Sequence, residues 1–176
     1  MPFHTLIQKV TVDASANYAD HETLFDVVEI QLPAKDVLVL GGYFIVNGGD
    51  ELASDNCGIH FYQNNTNPPG AASAATGLTA ATIKSNGYLG GVTFGTNEVD
   101  TNAFGFHDAN HYDMTMIGNV TSNTEEPPLL GNLVLTSTNI GNTIFAHGQI
   151  DIDSGGGASP DFDATDSCRF ILYLKY

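Results

Sequence analysis

The chain has 176 residues, which is close to the usual size of one domain and is enough to bury a full hydrophobic core. Its 20 acidic and 5 basic residues give a formal net charge of −15. This charge argues against nucleic acid and anionic membranes as partners, because binding to either needs basic residues that displace counterions.

No apolar run reaches the roughly 18 residues that span a bilayer. The opening residues also lack the pattern of a signal peptide. We therefore expect one soluble domain over residues 1–176.

Apolar and polar residues alternate with a period of two along most of the chain, which is the pattern of half-buried β-strands. The strands predicted in this way span residues 6–12, 24–32, 36–46, 58–63, 88–95, 112–118, 129–137, 143–152 and 167–176. Two adjacent glycines, Gly41 and Gly42, predict a bulge or bend in the third of them. Residues 78–86 could form about two turns of helix before Gly87 ends it.

Turn-forming clusters of Asn, Gly and Pro separate these strands at short, regular intervals. Eight or nine short strands with this spacing predict an all-β fold with at most one short helix. The expected architecture is an antiparallel β-sandwich that is jelly-roll-like.

Two cysteines and two strand histidines are expected to be structural. Cys57 and Cys168 have no neighbouring cysteine, so two buried thiols are favoured over one long-range disulfide. His60 alternates with Ile59 and Phe61 and is expected to be packed on the sheet, and the same reasoning applies to His147.

Two polar segments are weak candidates for a metal site. Residues 105–113 are interpreted as a loop in which His107 and His111, with two nearby aspartates, offer a partial ligand set. An aspartate-rich segment over residues 151–166 could hold calcium through carboxylate oxygens, although it departs from the pattern of an EF-hand loop. Its candidate ligands are Asp151, Asp153, Asp161 and Asp163. Solvated surface loops are the alternative in both cases, and no cofactor is expected otherwise.

No pattern of catalytic residues is present in the sequence. It has no G-x-S-x-G nucleophile elbow, and its glycine pairs lack the Lys-Ser/Thr of a phosphate-binding loop. We therefore expect a structural or binding protein and not an enzyme.

The strand-first start (TLIQKVTVDASANYADHETLFDVVEIQLPA), the strand-terminated end and the acidic surface rich in Asn, Gly and Thr resemble head decoration or cement proteins of tailed bacteriophages. This resemblance implies a virion structural protein that binds the major capsid protein on the capsid exterior and stabilises the outer head lattice. It also implies a homo-oligomer, typically a trimer, that is soluble before assembly.

Two alternatives remain open from the sequence. One is a phage fibre or receptor-binding domain that uses residues 64–82 and 105–113 for host contact. The other is a calcium-dependent carbohydrate-binding module. The interface candidates are aromatic or apolar positions near the N-terminal strand and polar positions in the long predicted loop: Phe3, Leu6, Tyr18, Asn64, Asn65, Pro68 and Pro69.

Overall fold

The protein is described by a computed structural model for residues 2–13, 18–19, 22–47, 56–66, 70–73, 84–94, 109–117, 133–151 and 167–176. These residues contain nine strands, one short 3-10 helix and a helical turn at residues 84–86. The strands are β1 (Phe3–Val10), β2 (Thr23–Gln31), β3 (Asp36–Asn47), β4 (Asn56–Tyr62), β5 (Tyr88–Phe94), β6 (Ala109–Ile117), β7 (Leu133–Thr136), β8 (Thr143–Asp151) and β9 (Ser167–Lys175). The 3-10 helix is Ile140–Asn142.

The strands form two antiparallel sheets. The first has the order β1-β9-β3, and the far side of β3 is shared by β7 and the first half of β6. The second has the order β2-β8-β4-β5, followed by the second half of β6. Strand β6 therefore belongs to both sheets, since residues 109–113 pair with β3 and residues 114–117 pair with β5. The predicted antiparallel β-sandwich is confirmed.

The hydrophobic core lies between the two sheets and follows the period-two pattern of the sequence. In β9, alternate residues from Cys168 to Leu174 are buried, as the sequence predicted. Phe170 of the first sheet stacks on Phe25 of the second, with the ring centroids 6.1 Å apart. Burial of these alternating side chains accounts for the pairing of the sheets, because a one-residue shift would expose every one of them.

The predicted strand positions agree with the observed ones within a few residues, with one informative difference. Strand β6 begins at Ala109, whereas the sequence reading placed residues 105–113 in a loop. Hydrogen-bond pairing with β3 extends this strand through Asn110 and His111, and such long-range pairing overrides the weak strand propensity of Asn.

The other local predictions concern a bulge and a helix. The expected bulge is present, because the register of β3 against β9 shifts between Val39 and Gly41. Residues 84–86 are helical, and the rest of the predicted helix at 78–86 lies outside the described residues. Among the residues that the structure describes, no helix is long and apolar enough to cross a membrane.

Candidate binding surfaces

The first-sheet outer face is the side of β1, β9, β3 and β7 that points away from the core. It carries large apolar side chains that remain exposed: Phe3 (71%), Ile7 (59%), Val134 (51%), Leu40 (44%) and Tyr173 (41%). Tyr43 also lies there, and its ring meets that of Tyr173 edge to face at 6.0 Å. A group of exposed apolar side chains on one sheet face is typical of a site that binds another macromolecule.

The same face holds three of the five basic residues of the chain. Lys9 of β1 lies opposite Arg169 of β9, and Lys175 lies at the other end of β9 opposite Phe3. Asp36 is the one acidic side chain described on this face; it lies at the end of β3, where its carboxylate accepts a hydrogen bond from Thr136 at 2.7 Å. Over β1, β9, β3 and β7 the face is therefore apolar and locally basic on a protein whose net charge is −15. At its margin, Asp113 of β6 is in register with Tyr43.

Strand β1 lies at the edge of this sheet. Among the described residues it pairs only with β9, so one row of its backbone N–H and C=O groups is left without a strand partner. An exposed edge strand with apolar side chains is a template for pairing with another chain. The edge and the apolar face meet at Phe3 and Ile7.

The predicted interface residues fall in different environments. Phe3 is exposed on the first-sheet outer face, whereas Leu6 points to the other side of β1 and packs against the core. Tyr18 is completely buried; its hydroxyl donates to the Leu24 carbonyl at 3.0 Å and accepts from the Asp13 N–H at 2.7 Å. Its side chain therefore has no exposed surface for a partner to contact. Asn64 and Asn65 are exposed, and Pro68 and Pro69 lie outside the described residues.

A shallow, open groove of about 450 Å³ lies at one end of the second sheet. Its walls come from residues after β4 and from the segment that leads into β8: Asn64, Asn65, Thr66, Asn139, Thr143 and Phe145. These six described residues carry amide and hydroxyl groups, one aromatic ring and no charge. We call this feature the Asn-Thr groove.

Hydrogen bonds hold the two walls of the Asn-Thr groove together. The Asn139 Nδ2 donates to the Gln63 carbonyl at 2.6 Å and to the Thr143 carbonyl at 2.9 Å. The Gln63 Oε1 accepts from the Thr138 N–H at 3.0 Å and from its hydroxyl at 3.1 Å, and the Gln63 Nε2 donates to the Thr136 carbonyl. This network fixes the walls before any ligand binds, which lowers the entropy cost of binding.

Next to the groove, on the outer side of the second sheet, four rings contact one another in a closed cluster. His60 and His147 are directly opposite in the β4–β8 register and stack with centroids 5.3 Å apart. His147 also stacks on Tyr62 at 5.4 Å, and Tyr88 contacts both Tyr62 and His60 at 5.5 and 5.9 Å. We call these residues the four-ring cluster.

The polar atoms of the four-ring cluster are only partly paired. The His60 Nδ1 lies 3.1 Å from the Tyr88 hydroxyl. Among the described residues, neither ring nitrogen of the fully buried His147 nor the buried Tyr62 hydroxyl has a hydrogen-bond partner. Burial lowers the pKa of His60 to about 4; burial and the neighbouring His60 lower that of His147 to about 3. Both imidazoles are thus neutral at pH 7, and their packed position agrees with the sequence prediction.

The metal prediction can be compared with only part of the chain. Asp153, Asp161, Asp163 and His107 lie outside the described residues, and for His111 and Asp151 only the backbone is described, within β6 and β8. In the described part, no group of three or more His, Cys, Asp or Glu side chains could hold a metal ion. The metal and calcium sites therefore stay predictions. Cys57 and Cys168 are free, buried thiols, as expected.

Sequence reasoning missed most residues of both surfaces. The sequence did contain one signal for the first-sheet outer face. Basic residues are few in this chain, and three of them, Lys9, Arg169 and Lys175, occupy outward-pointing positions of β1 and β9. No such signal existed for Asn139, Thr143 or Phe145, because the groove depends on which loops the fold brings together.

Comparison with known proteins assigns the chain to no family. No protein-family model, curated protein or solved structure matches the chain.

Proposed function

We propose that this protein is a non-enzymatic structural subunit of a virion, a decoration or cement protein that binds the outer lattice of a capsid through its first-sheet outer face. The observation that carries the proposal is the exposed apolar and basic surface on an otherwise acidic protein. Such a surface favours stable docking on another protein over catalysis, since burial of apolar area drives association.

Charge complementarity argues for a capsid protein with acidic surface residues as the occupant. Lys9, Arg169 and Lys175 would pair with carboxylates at the rim of the contact, which sets orientation and speeds association more than it adds affinity. The remaining surface is acidic and would be repelled by packaged nucleic acid. This distribution supports a position on the outside of the particle.

The strand order supports the finer fold assignment that we propose, a jelly roll. Each sheet alternates early and late strands, with β1-β9-β3 followed by β6 and β7 in one and β2-β8-β4-β5 in the other. This order arises when a long antiparallel ribbon folds over on itself to give two Greek keys, as in jelly-roll subunits.

The test is co-sedimentation with capsids that lack this chain, assembled from the capsid protein encoded with it. We expect the wild-type protein to pellet in a fixed ratio to the capsid protein. The double variant Ile7→Asp and Tyr173→Asp should lose binding, because it places charge in the apolar contact. Binding should also weaken between about 50 and 500 mM NaCl, since salt screens rim charges.

The matched control is Ile140→Asp. Ile140 is an apolar residue that is fully exposed outside the first-sheet outer face. The variant adds one exposed carboxylate, half the charge that the double variant adds, and should pellet like the wild type. Equal pelleting of the double variant and the wild type would show that this face is not the docking surface.

Light scattering distinguishes the lattice from a second copy of the chain as the occupant. If the double variant lowers the mass of the free protein to that of a monomer, the first-sheet outer face is a self-association surface. The proposal that this face binds the capsid lattice is then wrong. A homotrimer that survives the substitutions is the expected outcome.

A further inference from the structure

We infer that the Asn-Thr groove is a binding site for a neutral saccharide. The inference is independent of the capsid proposal, because the groove lies on the second sheet and the docking surface on the first. The chemistry of its lining is what selects the ligand class.

Charge excludes most other ligands. None of the six described lining side chains is acidic or basic, so among them the groove offers neither carboxylates for a cation nor cationic donors for a phosphate or sulfate. Glu29 is in register with Phe145, and its carboxylate further disfavours anionic ligands. The net charge of −15 further opposes an anionic ligand. A neutral molecule is the class that this lining fits.

Hydrogen-bonding capacity then favours a molecule with many hydroxyl groups. Asparagine amides donate and accept at once, and threonine hydroxyls do the same, which matches the donor and acceptor pairs of adjacent sugar hydroxyls. The two side-chain hydrogen bonds of Asn139 use its Nδ2. Among the contacts of the described residues, its side-chain Oδ1 is left to accept from a ligand hydroxyl.

The single aromatic residue supplies the apolar part of the site. Phe145 lies in β8 opposite Tyr62 and is partly exposed in the groove. A pyranose ring has one face made of C–H groups, which packs on an aromatic ring while the hydroxyls at its edge reach the asparagines. A few placed polar groups beside an apolar surface are the usual composition of a small-ligand site.

The open shape indicates how much of a glycan the groove can take. A volume of about 450 Å³ is enough for one or two sugar residues, and the mouth is open to solvent, so the rest of a chain can extend outwards. Because Gln63 and Asn139 already fix the walls, binding needs little rearrangement.

The experiment is a screen on an array of neutral and anionic oligosaccharides, followed by calorimetric titration with the best neutral ligand. We expect binding to neutral glycans and none that is specific for sialylated or sulfated ones. Asn65→Ala should weaken affinity about fivefold to tenfold, because it removes hydrogen bonds to the ligand. Phe145→Leu keeps the strand apolar and should weaken it by at least as much.

Two controls make the result specific to the groove. Thr5→Ala removes an exposed hydroxyl on β1, in the other sheet, and should bind like the wild type. The Ile7→Asp and Tyr173→Asp variant should also retain glycan binding, which separates this inference from the capsid proposal. The inference is overturned if no neutral glycan binds, if only anionic glycans bind, or if the groove variants bind as the wild type does.

Discussion

His147 is the residue whose environment departs most from the ordinary. It is fully buried between the His60 and Tyr62 rings, and in the described part of the chain neither of its nitrogens has a hydrogen-bond partner. A buried imidazole without partners is kept neutral, because a charge there would lose its hydration without compensation. The same feature makes the folded state sensitive to acid.

We predict that stability falls as the pH is lowered from about 6.5 towards 4. The pKa values of His60 and His147 are about 4 and about 3 in the folded protein, below the unfolded value of about 6.5. In this window the unfolded state binds more protons, so the stabilisation present above pH 6.5 is lost on acidification. At pH 5 the loss is about 2 kcal/mol for His147 and less for the partly exposed His60.

Urea unfolding at pH 7.5 and pH 5 measures this effect. His147→Phe keeps a stacked ring and should reduce the difference between the two pH values. The control His4→Gln changes an exposed histidine and should leave the difference as in the wild type. An unchanged difference in His147→Phe would show that other groups cause the acid sensitivity.

The inward or outward position of single side chains could largely be predicted from the sequence. Strand alternation alone predicts that His60 points away from the core and that alternate residues from Cys168 to Leu174 point into it. The structure agrees on both. The partners could not be predicted, because the contact of His60 with His147 depends on strands β4 and β8, which are far apart in sequence. The groove residue Phe145 was missed for the same reason.

At the level of elements, β3 is the strand on which the first sheet depends. It pairs with β9 on one side and with β7 and β6 on the other. Its two adjacent glycines have different roles. A Cβ at Gly42 would collide with the Ile171 carbonyl oxygen, whereas a Cβ at Gly41 would meet nothing within 4 Å.

We predict that Gly42→Ala destabilises the protein by about 1–3 kcal/mol, because β9 must move away from β3 to admit the methyl group. Gly41→Ala is the matched control and should change stability by less than about 1 kcal/mol, since it adds no clash and reduces the freedom of the unfolded chain. Chemical unfolding of both variants gives the comparison. Equal losses would contradict the close approach of β3 to β9 at Gly42.

For the whole molecule, the dominant electrostatic quantity is the net charge of −15. Like charges repel more in a compact state than in an extended one, and salt screens this repulsion. We therefore predict that the thermal midpoint rises between about 20 and 500 mM NaCl at pH 7.5. The rise should shrink near the sequence pI of about 4.3, where the net charge is small. A midpoint that falls with salt at pH 7.5 would show that attractive charge pairs outweigh the repulsion.

The overall architecture was accessible from the sequence because it depends on a repeated local signal. Nine segments of alternating residues and the turns between them suffice to predict an antiparallel sandwich. The division of β6 between two sheets has no such signal, since pairing of residues 109–113 with β3 and of residues 114–117 with β5 is set by the remote strands.

The neighbouring positions of β1 and β9 have a consequence for biosynthesis. Of the nine strands, β1 is synthesised first, but the strand with which it pairs in the described part of the chain is β9, residues 167–175. During translation Phe3 and Ile7 stay without this strand partner until residue 175 has left the ribosome, and sheets built from such distant segments form slowly. Polypeptides cut short before residue 167 would keep this apolar strand uncovered and would be the species most prone to aggregate in the cell.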